Sequence, residues 1–417
     1  MRAALWLLAL FGVAVAVALF AGNNQGTVTV FWPPYRVDLS LNLVLLLLLA
    51  AFLFLHAALR ALAALFDLPQ QALRWRLQQR ERGMHASLLD ALSHLLGGRF
   101  IRARKSAEGA LAQEASLGAG GAGPANGAQL RALAHLLAAE SAHALQDRSA
   151  REEHLRLAIE QAGSHGAQES HEGALMRAAR WSLEDHDPQG ATGWLQELPV
   201  GAGRRTLALR MKLKAARLSG HAREALETAR LLAKHRAFSA LAAETLVRGL
   251  AIDLLNDAHD PAQLQRAWSE LEAAERAMPE LAIHGAQRLL VLGGDPQLAR
   301  DWLLPVWERQ HALSAHQKVR LVEALEEGLE SVDADWLARI ESAQRADPRD
   351  ATLQYLAGMA CMRRQLWGKA QQLLGQAAGS LQDARLRGNA SRALAMLAEQ
   401  RGDEQAAAAA WKQAAQA

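Results

Sequence analysis

The chain of 417 residues has one cysteine, Cys361. A lone thiol excludes a disulfide framework, a four-cysteine zinc site and a cysteine-ligated iron–sulfur cluster. It also fits a chain kept on the reducing side of a membrane. Proline is scarce (11 residues), so there are few helix breakers, and from Met84 onward almost no β-branched residues cluster. Ala and Leu dominate instead, which favours helix over sheet. An excess of charge is missing too: 46 Lys and Arg face 43 Asp and Glu, a net charge of +3. The chain therefore lacks the concentrated basic face of a nucleic-acid binder, and no nucleic-acid partner is expected.

Catalytic signatures are absent as well. There is no phosphate-binding glycine loop before a Lys, no GxGxxG after a strand, no HExxH and no GxSxG. The glycines of Gly120-Gly121-Ala122-Gly123 stand without strand or helix context and read as linker. Fifteen histidines are scattered; His135 and His143 share a helical face, and His311 lies near His316. A metal site needs three or four convergent ligands, and this spacing supplies none. Cys361 beside Met362 offers haem-type ligands, but without Cys-x-x-Cys-His there is no covalent c-type attachment. The carboxylates of 323–330 read as a solvated helix face. Catalytic residues, metal ligands, cofactor and enzymatic activity are all expected to be absent.

Long apolar runs are present at the amino terminus. Residues 3–21 carry no charge, and 39–59 are interrupted only by Ser40, Asn42 and His56. Each approaches the ~20 residues that cross ~30 Å of hydrocarbon as helix. Ala18, Ala21 and Gly22 would also suit a signal-peptide cleavage region, but the n-region has only Arg2 and a second run follows 17 residues later. The pattern predicts a transmembrane hairpin over 1–60 with spans at about 3–21 and 39–59, joined by a short external loop. Trp32 and Tyr35 would lie at interfacial level, with Pro33-Pro34 as a turn. Arg60, Arg74, Arg76, Arg80 and Arg82 follow the second span. The positive-inside bias then places both termini in the cytoplasm of an inner-membrane, multi-pass protein. Residues 61–83 form a basic juxtamembrane segment suited to anionic lipid. His56, four residues before Arg60, reads as a headgroup-level residue; its alternative is a proton or ligand path.

Residues 84–417 show short amphipathic segments punctuated by Gly-Asp, Asp-Pro and Gly-His pairs, the mark of a helical repeat. In 351–380 a small pair, Ala357-Gly358, precedes a turn near Gln365. Trp367, Ala370, Leu374 and Ala377 then follow. This is the tetratricopeptide pattern. Taking the small residue after each turn as a ruler, the slots are Ala191, Ala225, Ala267, Ala299, Trp336, Ala370 and Ala407. Gly220, Gly294 and Gly402 each stand five residues earlier, and Gly98 with Ala103 makes a further unit near the membrane. About eight or nine hairpins are expected, one of them poorly matched near 145–159. A flexible insertion is expected at 118–127, and most tryptophans should fill space between helices. The fold class is thus all-α: a two-helix transmembrane hairpin followed by a tetratricopeptide-like solenoid, which binds rather than catalyses.

Two spans, a short external loop and a long helical array resemble the HemY family of proteobacterial inner-membrane proteins. The most specific residues are Ala21-Gly22, the stretch Gly26 to Val30, and Tyr35 to Ser40; 137–142 also resemble the family's second repeat. The insertion at 118–127 departs from shorter relatives. The resemblance implies haem (porphyrin) biosynthesis at a late or regulatory step. It points to a scaffold that binds haem-biosynthesis enzymes beside membrane lipid, with porphyrin or haem as a further ligand through unknown residues. The alternatives are a direct porphyrin carrier or enzyme, and an adaptor unrelated to haem. A cytoplasmic reporter fused after Ala417 is expected to be active and a periplasm-dependent one silent; the reverse result refutes this topology.

Overall fold

The computed structural model describes residues 11–19, 22, 25–119, 126–163 and 167–416. By contacts the chain forms two compact units, Met1–Ala167 and Gln168–Ala417, and each is described by itself.

The first unit opens on an antiparallel pair, β1 (Thr27–Trp32) and β2 (Tyr35–Ser40), in the register Val28↔Leu39, Val30↔Val37 and Trp32↔Tyr35. The segment expected as a short loop with a turn at Pro33-Pro34 is thus a β hairpin, and the all-α expectation is corrected at this place. The cause is local: Val28, Val30 and Trp32 alternate with Thr27, Thr29 and Phe31, a period of two that suits a pleated strand. Pro33 and Pro34, joined by a cis peptide, occupy the turn, where their missing N–H groups leave the ladder intact.

Helix α1 (Leu41–Leu96) follows at once, with the Ser40 hydroxyl accepting from the Leu43 N–H. Its 56 residues rise about 84 Å. Within it Leu41–Leu62 is apolar, exposed and long enough to cross a membrane, with a mean hydropathy of 2.5. The rest, including the basic segment 61–83, continues the same helix without a break. Of the expected first span, residues 11–19 are helical and exposed, while 1–10, 20 and 21 lie outside the described residues. Among the described residues one helix is long and apolar enough to cross a membrane, and about half of the expected first span lies outside them.

The unit is completed by α2 (Phe100–Ala119), α3 (Gly127–Ala144) and α4 (Arg148–Ala162). The carboxy-terminal part of α1 packs on α2, α2 on α3 and α3 on α4. The core consists of small patches, Met84 with Leu117 and Leu130, and Ala91 with Ala107 and Ala138. Residues 120–125 of the expected insertion lie outside the described residues.

The second unit is helical throughout its described residues: α5 (Gln168–Glu184), α6 (Pro188–Gln196), α7 (Val200–Gly203), α8 (Thr206–Leu218), α9 (Ala222–Lys234) and α10 (Ala240–Asn256). There follow α11 (Pro261–Ser269), α12 (Ala273–Arg276), α13 (Pro279–Val291), α14 (Pro296–Trp307), α15 (Ala315–Glu327) and α16 (Ala334–Ala346). The last are α17 (Ala351–Arg363), α18 (Trp367–Ser380), α19 (Ala384–Gln400) and α20 (Glu404–Gln416). Neighbours pair as hairpins over a continuous apolar core running from Leu209 to Leu397.

The ruler residues Ala191, Ala225, Ala267, Ala299, Trp336, Ala370 and Ala407 are all buried, as is Ala103. Each marks where a second helix meets the first. The turn before it has a fixed geometry. Left-handed residues stand five positions earlier at Gly98, His186, Gly220, Gln365 and Gly402, and six earlier at Gly293. The N–H after the left-handed residue reaches back to close the previous helix, as in Leu366 N–H to Cys361 O (2.9 Å) and Asp403 N–H to Ala398 O (3.0 Å). That is the Schellman closure. Where the following residue is Asp147, Asp187 or Asp403, its carboxylate caps the next helix, a contact worth about 1 kcal/mol. One residue thus ends a helix and the next begins another. The expected poor hairpin near 145–159 uses the same turn at Gln146, with a buried Arg151 in the ruler slot.

Close approach and large filler divide the packing. A Cβ on Gly358 would lie 2.7 Å from Leu374 Cγ and 3.2 Å from the Leu374 backbone N, so α17 and α18 meet there at backbone distance. A Cβ on Gly285 would lie 2.9 Å from Trp268, which stacks on Trp302 with ring centroids 4.3 Å apart. Trp181, Trp307 and Trp336 are also buried, as the filler role requires; Trp367 and Trp411 remain partly exposed at 38% and 40%. Gly358→Ala gains about 1 kcal/mol of helix propensity but meets an overlap of about 1–3 kcal/mol. The backbone contact decides, and the denaturant midpoint should fall. Gly375→Ala, with nothing within 4 Å, should raise it.

Candidate protein-interaction surface

The first helices of successive hairpins, α10, α13, α15, α17 and α19, pack on one another as a ladder. Polar side chains lace its rungs. The Gln317 amide donates to Glu280 (2.8 Å), with Arg248 3.7 Å from the same carboxylate. Lys318 reaches Asp350 at 3.2 Å, and Arg385 reaches Glu323 at 3.3 Å. Burial opposes ionisation of Glu280 and Asp350, but their hydrogen bonds and cationic neighbours prevail, and both carboxyls lie below their usual range. Glu326 differs. Burial raises its pKa, against the hydrogen bond that Asn389 donates to it. Of the carboxylates read from sequence as a solvated face, Glu327 and Glu330 are exposed, whereas Glu323 and Glu326 are half-buried, because α17 and α19 fold over them.

Near the amino-terminal end of this ladder the lacing stops. Leu241, Ala242, Thr245, Leu246 and Gly249 form one stripe of α10 facing Arg217 of α8 across a cleft of about 610 Å³. Leu241 is 75% exposed, and a Cβ on Gly249 would meet nothing within 4 Å. On the other side of α10 a second cleft of about 720 Å³ has an apolar floor of Leu231, Ala243, Val247 and Met278. It exists because the segment after Ala225 is the longest between ruler residues, and its later helix is split into the short α11 and α12. Arg230 closes the rim, paired through Nε (2.9 Å) and Nη2 with the buried Glu275. These clefts offer apolar floors with mixed-charge rims, which suit a peptide or helix of another protein. Their stripes span α8 to α12, so no local motif announces them in the sequence.

The titratable groups singled out by sequence are placed as follows. His135 of α3 meets His154 of α4, with Nδ1 atoms 3.1 Å apart, whereas His143 contacts Arg151. Burial first, then His154, lowers the His135 pKa to about 4. His154 is also lowered by burial, against the raising effect of Glu108. No group of three or more potential metal ligands occurs among the described residues. His311 and His316 are exposed and lie on separate helices. Cys361 is fully buried, which raises its thiol pKa. His56 stacks on Phe52 within the apolar stretch of α1. The pairing of His135 with His154 was not legible from spacing.

Residues 26–146 match a family model described as the HemY protein N-terminus. The match begins at the β hairpin and ends at the turn before α4. No curated protein sequence matches. Solved structures of low similarity include Naa15/Naa10 bound to HypK-THB (13% identity, TM-score 0.26), covering 76% of this chain and 56% of that one. The P58(IPK) TPR domain has 12% identity and TM-score 0.22 over 76% of this chain and 99% of its own. The APC/C hetero-tetramer Cut9-Hcn1 has 15% identity and TM-score 0.29 over 78% and 65%. Scores this low do not establish a shared fold. The chain spans just over half the length of the first of these.

The His pair yields a prediction with a definite sign. The unfolded chain binds a proton on His135 near pH 6.5 and the folded chain only near pH 4. The stabilisation is therefore complete above about 6.5 and is lost as pH falls from 6.5 to 4. His135→Asn should flatten the pH dependence of the unfolding midpoint in that window; an unchanged slope refutes the assignment.

Proposed function

Starting from a chain that belongs to the HemY family through its amino-terminal region, we propose that it is a membrane-anchored tetratricopeptide-type scaffold for haem biosynthesis. Its repeat region binds enzymes of the pathway and holds them beside the bilayer. The observation that carries this reading is the union of two features in one chain. A helix long and apolar enough to cross a membrane continues into a helical-hairpin array, and that array leaves an open apolar stripe along α10. An anchor joined to a binding array raises the local concentration of whatever it captures, which gives tethering a purpose without any catalytic group. The haem assignment comes from the family; the residues of the clefts favour protein ligands in general. In this reading both termini and the repeats lie in the cytoplasm, on the side of Arg60 to Arg82, and residues 3–21 supply a second span.

The test is affinity purification of the detergent-solubilised full-length protein from its own cells, with mass spectrometry and an absorption spectrum. Late haem-pathway enzymes should co-purify. The double substitution Leu241→Glu, Gly249→Arg should reduce their recovery roughly tenfold, the loss of about 1.4 kcal/mol expected at the centre of an interface. The helical circular-dichroism signal should not change. A stoichiometric porphyrin or haem band without those enzymes refutes the scaffold in favour of a carrier.

A further inference from the structure

The β1–β2 hairpin has two chemically different faces. Residues directly opposite each other in an antiparallel pair project to the same side. The register therefore gathers Val28, Val30, Trp32, Tyr35, Val37 and Leu39 on one face, with no charged group among them. The other face carries Thr27, Thr29, Phe31, Arg36, Asp38 and Ser40. There Arg36 lies 3.4 Å from Asp38 and stacks over Phe31 at 5.5 Å, so the polar face is neutral and self-contained. Among the described residues the tip of the apolar face is uncovered: Trp32 is 75% exposed, Tyr35 71%, Val37 47% and Val30 46%, while Val28 and Leu39 at its base are half-buried. Two strands alone are marginally stable in water, so this face needs an apolar surface.

Its position identifies that surface. No linker separates the sheet from the apolar helix, because Ser40 both ends β2 and caps α1. The Leu41 N–H donates to Gly26 O (2.9 Å), tying both strand bases to the first turn of the stretch Leu41–Leu62. The hairpin therefore begins at the level where that helix enters hydrocarbon. A six-residue strand is about 20 Å long, enough to lie along the bilayer surface. Trp and Tyr at the tip are residue types that favour the headgroup boundary, with an apolar body and a polar edge. From this geometry we infer that the hairpin lies flat on the membrane, its Val28–Val30–Trp32–Tyr35–Val37–Leu39 face immersed at the boundary between headgroups and acyl chains. The sheet is then an interfacial foot beside the span. The inference rests on the reading of Leu41–Leu62 as membrane-spanning.

Single cysteines at Val30, Val37 and Tyr35 on the apolar face, at Thr29 and Asp38 on the polar face, and at Leu48 in the helix would carry an environment-sensitive fluorophore. The full-length protein is reconstituted in phosphatidylcholine vesicles with or without a lipid spin-labelled near the top of its acyl chain. Cys361 stays in place because it is fully buried, and the unsubstituted chain sets the background. Quenching at Val30, Val37 and Tyr35 should be at least threefold that at Thr29 and Asp38. Equal quenching of both faces with Leu48 strongly quenched overturns the inference and leaves the span intact. An unquenched Leu48 overturns the span and the inference with it. Apolar-face labels that are shielded yet unquenched by lipid, with Val30→Cys cross-linking between copies, would assign the face to a second chain instead. Tyr35→Cys lies at the turn end of β2, so it reports even if substitution at Val30 or Val37 disturbs the pairing.

Discussion

The distance at which two helices of a hairpin can meet is the constraint on which the rest of the repeat region depends. It is set by side chains almost too small to notice: alanine at Ala191, Ala225, Ala299 and Ala370, and glycine at Gly358 against Leu374. Such residues bury little area themselves. Their role is to bring backbones together so that larger neighbours, spaced along the same helices, reach across to the next hairpin. The Gly285, Trp268 and Trp302 stack shows the division in one place: a missing side chain makes room for a ring, and that ring supplies the contact with another. The apolar core of the second unit is continuous because each such gap is filled from an adjoining hairpin.

The same logic explains what the sequence reveals. Alanine spacing located the close approaches, since steric need for a small residue leaves a visible trace. The turns were half visible. The turn glycines Gly98, Gly220 and Gly402 adopt the left-handed conformation, but Gln146, His186 and Gln365 do so too, and at the glycine pair it is Gly293, not Gly294. A left-handed Gln is strained by roughly 1–2 kcal/mol, and it persists because the surrounding helix closure and cap fix the turn. Nothing in the residue itself announces this. The β hairpin was legible in principle, for the alternation of Val28, Val30 and Trp32 is a strand signal. Pro33 and Pro34 mark the turn alone, since proline signals a break in the chain and carries no information on the strands flanking it.

Surface chemistry was harder to foresee, for a physical reason. The clefts beside α10 draw residues from helices far apart in the chain, and their openness depends on a shortened helix pair at α11 and α12. The polar ladder is likewise a product of packing. Glu280 and Asp350 become well-compensated carboxylates, while Glu326, one turn from a solvated position, becomes hard to ionise. His135 would be an ordinary surface residue but for α4 folding His154 onto it. Identical residue types thus receive opposite electrostatic fates according to what the next hairpin places above them.

Helix α1 belongs to two environments at once, since its start is apolar and exposed and its end packs on α2. A continuous helix transmits rotation as well as distance. Each residue turns the direction of a side chain by about 100° and advances it about 1.5 Å. The number of residues between Leu62 and Met84 therefore acts as a phase setting. One residue added in that interval would swing the first hairpin through more than a quarter turn about the axis. Seven added residues would restore its heading to within about 20° while moving it about 10 Å along the helix axis. The length of this stretch is thus a coordinate of the first hairpin, constrained by angle even where no side chain on it makes a contact.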